Sequence, residues 1–215
     1  MNRHVEALAE EFLGRGHDVR VLAPVDPPGR LSRALHRAQA EARELPDYLA
    51  PLGRTMGFNS NGSVSNLAPF PAGGVVAPRR LVRSGEFDVI HVHEPLVPLV
   101  GWNATLGAHD PVVATFHAYA TKPVPNYIAN AVGARRLFNR LSARIAVSEA
   151  AAWTGRRWFG GEYTIIPNGV DVDAAPTTLV PRTDDLRILF VGRPEERKGL
   201  PILLSAFNAL EEEES

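Results

Sequence analysis

The chain has 215 residues, 45% of them hydrophobic, with 23 basic and 24 acidic side chains and a formal net charge of -1. That balance creates no global field to draw the protein onto nucleic acid, and no apolar run approaches the roughly 18 residues of a membrane-spanning helix. Cysteine is absent, which excludes disulfides and thiolate metal sites and suits a cytoplasmic protein.

In chain order, Val5, Leu8, Ala9, Phe12 and Leu13 share one helical face, and Gly14 and Gly16 punctuate its end. Glu6, Glu10 and Glu11 fall where a secretory signal would need an apolar core. Asp18 to Ala23 reads as a strand closed by Pro24. Residues 26–74 carry Pro27, Pro28, Pro46, Pro51, Pro69 and Pro71, with Asn59-Ser60-Asn61-Gly62, and predict a long excursion of short local elements. Beyond it, a short helix over 77–84 precedes a strand from Phe87 to His93, and Pro111 to His117 forms the next strand. A helix over 126–142 leads into a strand from Arg144 to Ser148, then a helix from Glu149 to Phe159. Tyr163 to Ile166 is a last strand, stopped by Pro167-Asn168-Gly169.

Strands alternating with helices predict an α/β fold, a Rossmann-like parallel sheet occupying residues 1–175. Residues 171–185 have a linker composition, and Leu186 to Gly192 opens a fresh strand. A helix from Lys198 to Leu210 follows, with Leu200, Leu203, Leu204, Phe207 and Leu210 at core spacing. Residues 186–215 thus predict the first strand and helix of a second Rossmann-like domain, incomplete because one strand and one helix cannot bury their apolar faces alone.

Four groups of residues carry candidate chemistry. Gly192-Arg193-Pro194-Glu195-Glu196-Arg197-Lys198-Gly199 lies between a predicted parallel strand and a helix, where doubly wound folds bind ligands. Its cations and the helix N-terminus suit a diphosphate, whereas the plain alternative is a solvated charged turn. His117 ends its strand at the same kind of edge; it fits either a sugar-contacting, proton-handling histidine or a structural one. His91-Val92-His93-Glu94 puts two imidazoles on one strand face with a carboxylate beyond, too little to specify a metal site. Arg79, Arg80 and Arg83 group on one side of the short helix after Pro78, away from Leu81 and Val82. They suit contact with an anionic membrane surface, or an ordinary surface helix.

Together these segments resemble the family-four retaining glycosyltransferases of GT-B fold, and in particular the bacterial phosphatidylinositol mannosyltransferases. The carrying segments are Arg3-His4-Val5, Gly14 to Pro24, Leu45-Pro46-Asp47-Tyr48, Asn61-Gly62-Ser63-Val64, Phe87 to Pro95 and Ala114-Thr115-Phe116-His117. Ile145 to Ser148, Ile166 to Asp171, Phe190 to Arg193 and Arg197-Lys198-Gly199 complete the set in family order. The resemblance implies transfer of a hexosyl group from a nucleoside-diphosphate sugar, GDP-mannose in the mannosyltransferase branch, to a lipid or glycan hydroxyl. Arg193 and Lys198, with Gly192, then hold the donor diphosphate, and His117 stands near the transferred sugar. The arginines at 79, 80 and 83 match a membrane-associating helix on the inner face of the plasma membrane. No metal and no redox cofactor are implied. The resemblance also implies a strand and glycine loop ahead of Arg3, and a donor-domain Glu-x7-Glu motif beyond Ser215, so the chain reads as truncated at both ends. Two rival readings share the architecture: a GT-B nucleotide-sugar epimerase, and a non-catalytic module that binds membrane or acceptor.

Overall fold

The computed structural model describes residues 3–25, 29–30, 44–52, 54–60, 63–70, 75–97, 99–172, 187–192 and 198–214. The chain divides into two compact units, Met1–Gly169 and Val170–Ser215.

In the first unit, strands β5 (Ile90–His93), β6 (Val112–Phe116), β7 (Ala143–Ala146) and β8 (Thr164–Ile165) lie side by side in that order, all parallel. The α/β architecture with a parallel sheet expected from the strand–helix alternation is therefore present. Val112, Ala114 and Phe116 of β6 are buried toward one face, and Thr115 is buried toward the other. A parallel strand covered on both faces reads as a near-continuous apolar run, as Pro111 to Phe116 does. The strands are shorter than the sequence pattern predicts. Ile90 pairs with Val112, where β6 begins, so residues 87–89 have no strand partner among the described residues to extend the ladder.

Helices α3 (Val100–Gly107), α4 (Pro123–Ala131), α5 (Ala134–Phe138) and α6 (Glu149–Phe159) connect these strands. The single helix expected over 126–142 is broken. Gly133 has φ 101°, a left-handed conformation that glycine adopts without a steric penalty, and it separates α4 from α5. Packing centres on rings in edge-to-face contact: Phe116 on Phe138 at 5.4 Å, Phe138 on Phe159 at 5.1 Å, and Phe116 on Tyr163 at 5.1 Å between centroids. Ala146, Ala151 and Ala152 close the core between β7 and α6. Ser148 caps α6, its hydroxyl accepting from the Ala151 N–H at 3.2 Å.

Helix α4 is oriented against its own polarity. Val124, Tyr127 and Ile128 face outward, at 64%, 62% and 59% exposure, whereas Asn126 is buried and donates to the Lys122 carbonyl at 2.8 Å.

Helix α1 (Arg3–Gly14) buries Ala9, but Phe12 and Leu13 at its end remain exposed. Strand β1 (Val21–Ala23) does not join the main sheet as expected. Its partner is β2 (Leu49–Pro51), drawn from the proline-rich excursion, and the two form a separate parallel pair. The Val21 N–H donates to the Tyr48 carbonyl at 2.8 Å, and the Leu52 N–H to that of Ala23 at 2.9 Å. The same excursion contains an antiparallel hairpin of β3 (Arg54–Ser60) and β4 (Ser63–Phe70), where the sequence suggested only short local elements. Asn61 and Gly62, between its paired residues Ser60 and Ser63, lie outside the described residues. Helix α2 (Val76–Val82) then packs on α3, where a Cβ on Gly107 would lie 3.3 Å from the Arg79 Cα.

In the second unit, residues 187–192 form no strand, contrary to expectation. Extended backbone becomes a strand only by pairing, and no second strand occurs among the described residues of this unit. Helix α7 (Leu200–Glu214) starts two residues later than predicted and continues through the glutamates.

Candidate active site

Register sets the site. His93 of β5 lies opposite Thr115 of β6, so the two strands end together at one edge and deliver Glu94 and His117 side by side. His91 and His93 are two residues apart on one strand and face the same way, with ring centroids at 4.2 Å. His91 Nε2 and the Thr115 hydroxyl are 2.7 Å apart. His117 follows Phe116 directly, and its Nε2 lies 3.2 Å from His93 Nδ1. One of these nitrogens must donate and the other accept, so the pair shares one proton between two rings. His4 of α1 stands edge-on to both His93 and His117 at 5.7 Å. Four imidazoles thus meet at the carboxyl edge of the sheet.

Burial dominates their electrostatics. It lowers His91 to about 4 and His93 to about 3, with repulsion from the neighbouring imidazoles adding to both. His117 is lowered for the same reasons, burial first and His4 second. These three rings are consequently neutral near neutral pH, a state in which either His93 or His117 can accept from the other. Among the described residues, no group of three or more histidines or carboxylates is arranged to hold a metal ion.

Glu94 has φ 53°, a left-handed conformation rare for a side-chain-bearing residue. Its N–H continues the ladder to the Thr115 carbonyl at 2.8 Å, and its Oε2 accepts from the His117 N–H at 3.1 Å. Loss of hydration raises its carboxyl to about 7 despite hydrogen bonds from the backbone at His117 and Ala118. Beyond His117 the loop is tied from behind. The Ala120 N–H donates to the Thr154 hydroxyl at 3.0 Å, and Trp158 Nε1 donates to the Ala120 carbonyl at 3.2 Å.

Of the residues singled out in the sequence, His117, His91 and His93 come together here. From the sequence alone, Glu94 stands beyond the strand only as a conceivable metal ligand and His4 has no visible link to the site; neither the backbone turn at 94 nor the approach of α1 leaves a local signature. Arg79 is half-buried on α2, while Arg80 and Arg83 are exposed. In the second unit, Gly192 and Lys198 are exposed and close, since a Cβ on Gly192 would lie 3.7 Å from the Lys198 Cβ. Arg193 lies outside the described residues.

Residues 1–174 match the sequence profile of Glycosyltransferase Family 4. The chain belongs to glycosyltransferase family 4. Within family 4 it is 36% identical over 216 residues to a phosphatidyl-myo-inositol mannosyltransferase of Mycolicibacterium smegmatis, covering 96% of this chain and 50% of that protein. It is 39% identical over 212 residues to the protein of the same name from Mycobacterium tuberculosis, covering 94% of this chain and 50% of the relative. A D-inositol 3-phosphate glycosyltransferase of Xylanimonas cellulosilytica is 26% identical over 242 residues, covering 99% of this chain and 56% of the relative. The chain thus spans about half the length of the curated family 4 relatives it matches. No helix among the described residues is long and apolar enough to cross a membrane.

Proposed function

We propose that the protein acts in transfer of a hexosyl group from a nucleoside-diphosphate sugar to a lipid hydroxyl, with retention of configuration at the sugar. The observation that carries this reading is His117, held at the carboxyl edge of the parallel sheet in a chain matching family 4 over residues 1–174. Relatives named as phosphatidyl-myo-inositol mannosyltransferases support a mannosyl donor such as GDP-mannose and an inositol-lipid acceptor.

In this reading a neutral His117 meets the transferred sugar, where an imidazole exchanges donor and acceptor roles with a hydroxyl at no charge cost. Arg193 and Lys198 neutralise the charge that develops on the departing diphosphate. Gly192 leaves room for the phosphates to approach the backbone. Retention requires that the acceptor oxygen enter on the face from which the diphosphate leaves, which places the acceptor hydroxyl and the departing diphosphate on one side of the sugar. Arg80 and Arg83, exposed on α2, seat the protein peripherally on the anionic inner face of the plasma membrane, where a lipid acceptor resides.

The test is an incubation of the intact gene product with nucleoside-diphosphate hexoses and vesicles containing phosphatidylinositol. Glycosylated lipid with the donor's anomeric configuration is expected. Epimerised donor, an inverted product, or lipid binding without turnover of any donor would overturn the reading.

A further inference from the structure

We propose that Glu94 is the positioning residue for His117, gripping the main chain at 117 and 118 from the end of the neighbouring strand. This rests on the role assigned above to His117, but its geometry stands independently of any substrate.

Strand β6 pairs with β5 only as far as Thr115, which accepts from the Glu94 N–H at 2.8 Å. Past that point no backbone ladder joins His117 to β5. Glu94 replaces it with a side chain: its carboxylate accepts from the His117 N–H at 3.1 Å, and the Ala118 N–H also donates to it. On the β5 side a single residue therefore holds the end of β6, through its own main chain on one side of Phe116 and its carboxylate on the other, while β7 holds Phe116 itself through the Val147 N–H at 3.2 Å.

The conformation of Glu94 fits this task. A left-handed backbone costs a side-chain-bearing residue free energy that an extended strand would not. It is explained here by what it achieves, since it ends β5 while the carboxylate remains over the exit of β6. The ring of His117 is held from the same strand, by His93 Nδ1 at 3.2 Å. Main chain and ring are thus fixed by adjacent residues, Glu94 and His93. The loop beyond is held separately, by Thr154 and Trp158 at Ala120. Between Phe116, which β7 holds, and Ala120 the main chain at His117 is fixed by Glu94, so this contact sets where the backbone presents the imidazole to His93.

The test compares Glu94→Ala with Glu94→Gln in the full chain, reading amide hydrogen exchange and the imidazole nitrogen resonances of His117. Glu94→Ala should speed exchange at His117 and Ala118 by tenfold or more and shift the His117 ring signals. The ladder amides of Val113, Ala114 and Thr115 should keep their protection. Glu94→Gln retains a carbonyl oxygen in place of the carboxylate and should restore most of the protection. In the intact enzyme, Glu94→Ala should lower kcat at least tenfold while donor KM changes little, with the glutamine variant recovering much of the loss. Unchanged exchange at 117 and 118 in Glu94→Ala would overturn the proposal. Faster exchange spread evenly over β5 and β6 would overturn it too, because Glu94 would then support the sheet rather than His117. Failure of glutamine to rescue exchange would do the same. Absence of glycosyl transfer with the exchange pattern as expected would count against the functional reading alone.

Discussion

The ring of Tyr163 occupies the space that a side chain on Gly155 would need. A Cβ built on Gly155 falls within 3.0 Å of three atoms of that ring. Tyr163 cannot move aside cheaply, because it is buried and packs edge-on against Phe116 at 5.1 Å.

Gly155→Ala should therefore destabilise the first unit even though it improves helix propensity in α6. Overpacking a core costs about 1–3 kcal/mol, against a propensity gain of about 1 kcal/mol. A net loss of up to about 2 kcal/mol is expected, read as a lower urea midpoint. Pairing the change with Tyr163→Leu should recover part of it, since the two residues compete for one volume. A stabilised Gly155→Ala chain would show that α6 can slide away from β8.

Acidification should weaken the fold before carboxylate pairs are lost. Folded His91 and His93 resist protonation down to about 4 and 3, and His117 is lowered as well, whereas in the unfolded chain these rings titrate near 6.5. The unfolded state then binds more protons, so stability falls as pH drops below about 6.5. Glu94 acts in the opposite sense. Its folded carboxyl keeps a proton up to about 7 against 4.5 when unfolded, a contribution present at low pH and lost as pH rises through 7. Three imidazoles outweigh one carboxyl between these values, so the urea midpoint should decline steadily from pH 7 to pH 5. His93→Asn should flatten that decline; an unchanged slope would remove His93 from the set that drives it.

In the second unit, Lys198→Ala and Arg193→Ala should each reduce transfer by the intact enzyme by about 100-fold. Losing one cation from a developing diphosphate charge removes about 3 kcal/mol of transition-state stabilisation. Steady-state kinetics with a nucleoside-diphosphate sugar checks this. Unchanged kcat/KM in both would return the segment to an ordinary solvated turn.

On α2 the three arginines should contribute unequally to membrane contact. Arg80 and Arg83 are exposed, whereas Arg79 is half-buried near Gly107 of α3. At about 1 kcal/mol per cation near an anionic surface, Arg80→Gln with Arg83→Gln should weaken vesicle binding about 30-fold. Arg79→Gln alone should do less. The effect should shrink with salt, and equal binding by parent and double variant would leave α2 without this role.

What the sequence discloses follows from how local each cause is. Pro111 to Phe116 reads as a strand because burial on both faces makes it continuously apolar, and that reading locates His117 at an edge. The break between α4 and α5 is less visible, because Gly133 is tolerated inside helical patterns until its φ of 101° is known. The pairing of β1 with β2 depends on a segment 28 positions further along, Val21 against Leu49, which no periodicity encodes. The site divides in the same way. His91 and His93 share a face by simple alternation, but Glu94 gains its importance from a left-handed turn and a contact with residue 117. His4 lies off the apolar period of α1 and reaches the cluster only through tertiary packing.

Helix α4, with Val124, Tyr127 and Ile128 turned to water, has a consequence for the handling of the chain. At a net charge of -1, copies in solution repel one another very little, so nothing counters the attraction between outward apolar faces. Colloidal behaviour, rather than folding, should then set the usable concentration. Light scattering should rise with protein concentration while circular dichroism stays constant, and Tyr127→Lys with Ile128→Glu should suppress that rise.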